Sequence, residues 1–173
     1  MDSMEVMVMR EITCETLNEN VFEMIGKDWM LISAEKDGKT NTMTASWGGT
    51  GVLWNKNVAY IFIRPQRYTK EFVDFSDKLS LCVLPESYKK ELSYLGTVSG
   101  RDEDKITKAG LNVKKYDDVP YFDEARLTFI CKKLYAQELK EDCFIETDLI
   151  DKCYKQRDFH MMYVVEIEKI LEK

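Results

Sequence analysis

Val58-Ala-Tyr-Ile-Phe-Ile63 constrains this chain most, because it is almost uniformly apolar over six positions. A run of that length predicts a strand that is central in its sheet and covered on both faces. Other strand patterns accompany it. Trp29 to Ala34 predicts a strand, Asp37-Gly38 a hairpin turn, and Asn41 to Trp47 the returning strand. Leu79 to Leu84 is a further strand, ended by Pro85, and Ala125 to Ala136 a long one. Met162 to Ile170 alternates, with Glu166 and Glu168 facing away from Val165 and Ile167.

Short helices fit the intervals. Asn20 to Ile25 fits a helical turn. Thr69 is placed to cap a helix through Phe75, and Tyr88, Leu92 and Leu95 share one helical stripe. Ser99 is placed to cap a turn from Arg101 to Ala109 that ends at Gly110. About six strands without regular strand–helix alternation exclude a doubly wound sheet. The expected class is mainly β, an antiparallel barrel with short helical additions. No linker or repeat divides the 173 residues, so one domain over 1–173 is expected.

Composition narrows the partners. A net charge of −6 argues against nucleic acid, whose phosphates need a basic field. Met1-Asp-Ser-Met-Glu5 lacks the basic start and apolar run of a signal peptide, and no apolar stretch is long enough to span a bilayer. Cys14, Cys82, Cys131, Cys143 and Cys153 are odd in number, without C-x-x-C spacing, as expected of a reduced cytoplasmic protein. With one histidine they make no recognisable metal site, and none is expected.

Four segments carry candidate chemistry. In Asn41-Thr-Met-Thr-Ala-Ser-Trp47, Thr42, Thr44 and Ser46 alternate with Asn41, Met43, Ala45 and Trp47, and a glycine-rich turn, Gly48-Gly-Thr-Gly51, follows. Successive hydroxyls beside closely approachable backbone suit a flat, polar-edged ligand. Threonine is also favoured on any half-buried strand, so the hydroxyls alone favour that plainer reading, and it is the glycines after them that shift the balance toward a ligand. Arg64-Pro-Gln-Arg67-Tyr68-Thr69 leads from the central strand into a helix, where backbone N–H groups and Arg67 suit a phosphate. Ser99-Gly100-Arg101-Asp-Glu-Asp-Lys105 again gathers a hydroxyl, a glycine and cations, though taken in isolation solvated surface pairs explain it better. His160, just before the last strand, is a candidate proton donor if it sits in a cleft.

Taken in this order, the four segments resemble the flavin reductase-like family in its flavoredoxin-type branch. The resemblance covers the chain from about Trp29 onward. It implies an FMN-binding six-stranded split barrel and a homodimer with the flavin near the subunit interface. It also implies that Asn41, Thr42, Met43, Thr44, Ala45, Ser46 and Trp47 line the ring and ribityl chain. Arg67, Tyr68, Thr69, Ser99, Gly100, Arg101 and Lys105 then surround the phosphate. His160 takes the place of a histidine near the reactive ring, a catalytic position. In several members of the wider family a Gly-Asp-His motif precedes the last strand, whereas here Phe159 separates Asp158 from His160. The implied activity is an FMN-dependent oxidoreductase fed by NAD(P)H and passing electrons to free flavin, ferric iron or a partner protein. The alternatives are an electron-transfer protein without its own nicotinamide site and a non-enzymatic flavin binder.

Overall fold

The computed structural model describes residues 9–173. The segment read above for a leader, Met1–Glu5, lies outside them. The chain opens with β1 (Arg10–Ile12) and a helical turn, α1 (Val21–Glu23), which runs into a π-helical turn through Asp28. The Asn20 side chain caps α1 by accepting from the N–H groups of Phe22 and Glu23.

β2 (Met30–Lys36) and β3 (Lys39–Ala45) form the expected hairpin. Asp37 and Gly38 both take positive φ, 50° and 74°, as a two-residue turn between twisted strands requires. β4 (Gly48–Leu53) and β5 (Lys56–Ile63) make the next hairpin. Then come α2 (Tyr68–Phe75), β6 (Lys78–Val83), α3 (Lys89–Thr97) and the short α4 (Lys105–Lys108). A separate two-stranded ribbon, β7 (Val113–Tyr116) with β8 (Val119–Phe122), precedes β9 (Leu127–Glu138), α5 (Asp148–Cys153) and β10 (Met161–Glu172).

The main sheet runs β3-β2-β6-β9-β10-β5-β4 with β1 added on β10, and every pairing is antiparallel. The six strands expected from the sequence are β2, β3, β5, β6, β9 and β10. The two additions are β1 and β4. The glycine-rich stretch expected as a turn is in fact the edge strand β4. Gly48 explains its composition: φ is 154°, and a Cβ there would lie 2.7 Å from the Tyr60 carbonyl oxygen. The glycine lets two strands close up on each other.

Helix caps also depart from expectation. Arg67, with extended backbone, occupies the α2 cap position without a side-chain capping bond. Thr69 lies inside the helix, and its hydroxyl accepts from Asn41 Nδ2 at 2.9 Å. Asp104 caps α4 in place of Ser99, by accepting from the Thr107 N–H.

One core lies inside the sheet, where Ile32, Ile61, Leu81, Phe129, Tyr163 and Val165 are almost completely buried. A second packs Leu92 and Leu95 of α3 against Leu31, Cys82 and Phe122. Each such side chain contributes about 1.5–3 kcal/mol on burial. α3 is thereby pinned beside β3, and Thr44 Oγ1 donates to the Leu92 carbonyl at 2.5 Å. Among the described residues, no helix is long and apolar enough to cross a membrane.

Candidate functional site

Two adjoining cavities open where β3, the start of α2, the end of α3 and the approach to β10 converge. The first, about 170 Å³, is lined by Met43, Thr44, Ala45, Ser46, Trp47, Phe62, Arg64, Arg67 and His160. The second, about 260 Å³, is lined by Asn41, Met43, Gln66, Arg67, Tyr68, Thr69, Thr97, Val98, Ser99, Gly100 and Lys105. Met43 and Arg67 belong to both, so the two form one elongated recess.

The second cavity is the cationic end. Lys105 is 4% exposed, and its Nζ donates to the carbonyls of Leu95 and Val98 at 2.8 and 2.9 Å. Burial, with the nearby Arg67 charge, pushes its pKa down to about 8. Arg67 donates to the Gly96 carbonyl at 2.9 Å. Neither cation is paired with a carboxylate among the described residues, an arrangement that is costly unless an anion completes it. Gly100 closes the wall, since a Cβ there would fall 2.2 Å from Asn41 Oδ1.

The first cavity is walled by aromatic rings, with Arg67 at its junction with the second. Trp47 lies 5.3 Å from the His160 ring and Phe62 6.4 Å from it. Arg64 is tied down by Asp158 Oδ2 at 2.7 Å and by the Cys153 carbonyl at 2.8 Å. His160 is 7% exposed. Burial first, then the charges of Arg64 and Arg67, lower its pKa to about 4, with Asp158 opposing. With that value the imidazole is neutral near pH 7, and what it presents to the cavity is a ring nitrogen able to hydrogen-bond.

The recess gathers most of the residues picked out in the sequence and leaves out two. Thr42 lines neither cavity. It is fully buried and shares a 2.8 Å hydrogen bond with Ser33. Its hydroxyl also donates to the Ile32 carbonyl. Arg101 turns outward, where it pairs with Glu71 and stacks on the Tyr68 ring at 4.5 Å. Thr44 lines the first cavity, but its hydroxyl is committed to α3. Of the hydroxyl stripe, Ser46 alone is a cavity residue with no such internal bond. Phe62, Arg64, Gln66, Thr97 and Val98 also line the recess. Arg64 and Gln66 had a signal in their place after the central strand; Phe62 read simply as core.

A flat ring with an anionic tail matches this donor set, with aromatic walls at one end and two uncompensated cations at the other. Residues 24–172 match the model for the flavin reductase like domain. The chain belongs to the flavin reductase-like family. A search of curated proteins finds no significant match. Among solved structures, the fold is similar to an FMN-binding domain of a flavin reductases-like enzyme from Shewanella baltica. The TM-score is 0.70 at 15% identity, over 95% of this chain and 77% of that one. Flavoredoxin from Methanosarcina acetivorans follows with a TM-score of 0.65 at 23% identity, over 91% and 74%. An FMN-binding protein from Thermus thermophilus, with bound p-hydroxybenzaldehyde, gives 0.68 at 17% identity, over 95% and 82%. At these identities the structures speak for the fold, the split barrel of this family.

Proposed function

We propose that this chain binds FMN in the recess and works as a flavin reductase-type oxidoreductase, with NAD(P)H as electron donor. The observation that carries the reading is a pair of cations without carboxylate partners among the described residues, buried Lys105 and half-buried Arg67, at one end of a cavity walled at the other by Trp47, Phe62 and His160. Bound FMN would supply the hydride and electron chemistry itself. The chain's part is to bind, orient and shield.

Arg67 and Lys105 hold the phosphate, with Ser99, Gly100, Tyr68 and Thr69 around it. Asn41 and Met43 to Trp47 line the ribityl chain and ring. Thr42 serves at one remove, fixing β3 to β2 through Ser33. Neutral His160 offers a hydrogen bond at the ring end and no charge. The low exposure of Ala45 and Met43, each 7%, keeps water from that wall.

We also propose a homodimer, on the strength of exposed Phe22, Trp47, Val52, Trp54 and Tyr135, large apolar side chains that a partner would cover. The free cysteines and acidic composition support a reducing cytoplasmic setting without nucleic acid as a partner. The test is the aerobic spectrum of the purified protein after FMN loading, then anaerobic mixing with NADH and with NADPH. Bleaching by either supports the reductase. A bound flavin that bleaches only when a donor protein is added gives the electron-transfer role, and failure to bind FMN refutes both.

A further inference from the structure

Tyr154 lies just past the end of α5, where its N–H donates to the Ile150 carbonyl at 2.8 Å. Its side chain is 5% exposed and packs among Phe144, Phe159 and Ile150. The Arg64 guanidinium lies 5.0 Å from its ring centre. Its hydroxyl lies 2.7 Å from His160 Nδ1. That is the hydroxyl's one hydrogen bond in the described structure.

Burial raises the Tyr154 pKa, so the hydroxyl keeps its hydrogen. If Nδ1 carried the imidazole proton, the tyrosine oxygen would accept and its own hydrogen would be buried without an acceptor. If the tyrosine donates, both atoms are satisfied. A neutral imidazole has one N–H, which the second arrangement leaves on Nε2. Nε2 makes no hydrogen bond among the described residues, and the ring lines the aromatic cavity.

We infer that Tyr154 is a positioning residue that locks His160 as a neutral Nε2–H donor, so that the ring end of the cavity recognises an uncharged acceptor, the carbonyl oxygen of a small planar ligand. The ligand's place beside the flavin rests on the function proposed above; the tautomer does not. The groups facing His160 are fixed in kind: Arg64 and Asp158 paired with each other, Arg67 across the cavity, and Tyr154 itself. The His160 backbone is held too, its carbonyl accepting from the Leu139 N–H at 2.9 Å.

His160 is the sole histidine of the chain, so its ring nitrogens are resolved without assignment. Uniformly 15N-labelled protein without flavin would be measured near pH 7 by two-bond 1H–15N correlation. The expected spectrum has Nδ1 unprotonated and Nε2 protonated. Nδ1 protonated in the wild-type protein overturns the inference, whatever the flavin does. Tyr154→Phe should shift the ring toward a tautomer mixture, while Phe159→Leu, which disturbs the same cluster but spares the hydroxyl, should not. An unchanged tautomer in Tyr154→Phe, or an equal change in Phe159→Leu, overturns the positioning role.

The second arm uses FMN-loaded protein and benzamide, followed by the flavin difference spectrum. Tyr154→Phe should weaken benzamide binding about fivefold to tenfold. Equal binding by wild type and variant overturns the carbonyl assignment. Failure to load FMN would count against the proposed function and leave the tautomer result standing.

Discussion

Lys105 gives the sharpest quantitative test. Among the described residues it has no carboxylate partner, and burial together with the Arg67 charge brings its pKa from 10.5 down to about 8. A dianionic phosphate set between the two cations would raise it again. The protonated lysine is the form that binds, so affinity is full below pH 8 and declines as the pH rises through it. Roughly nine in ten Lys105 side chains are charged at pH 7 and roughly one in ten at pH 9, so FMN affinity should drop about tenfold across that interval. Fluorescence titration at constant ionic strength would measure it. Riboflavin shares the ring but not the phosphate, and its affinity should stay level. Lys105→Met should bind FMN more weakly with a flattened profile. Equal FMN affinity at pH 7 and pH 9, or the same decline for riboflavin, would refute the assignment of Lys105 to the phosphate.

Arg67→Ala removes the other cation, and FMN affinity should fall by about 1.5–3 kcal/mol with riboflavin little affected; unchanged FMN binding in the same titration would take Arg67 out of the site. Gly100→Ala would drive a Cβ to 2.2 Å from Asn41 Oδ1 and force the amide away from Thr69. The loss should be about 1–3 kcal/mol, read as a lowered urea midpoint, and an unaltered midpoint would show that Asn41 adjusts freely.

The strands were legible because their signals are local. The all-apolar Val58 to Ile63 and the alternation of β10 need no knowledge of distant residues. β4 was hidden because its three glycines answer to Tyr60 on the neighbouring strand, a constraint with no trace in the local pattern. The cations of the site could be picked out, but not which of them turns inward. Arg101 and Lys105 look alike in sequence, yet one pairs with Glu71 on the surface and the other is drawn onto the carbonyls at the end of α3. Thr42 and Thr44 were legible as hydroxyls on one strand face, whereas their partners Ser33, Ile32 and Leu92 come from separate elements. Tyr154 gave no signal, since its hydroxyl meets His160 only through the irregular turn that sets them six positions apart.

The two terminal strands of the main sheet, β3 and β4, follow each other in the chain and are joined through Ser46 and Trp47. The seam of the barrel is thus stitched at one point, like a book held by its spine. That join sets Trp47 at the seam itself, while the cationic end is tied to α3 and the turn after it, where Arg67 and Lys105 donate to the carbonyls of Gly96, Leu95 and Val98. The tail end of the recess is thus built from groups fixed to a helix, and the ring end from a half-exposed tryptophan on the two-residue link between edge strands.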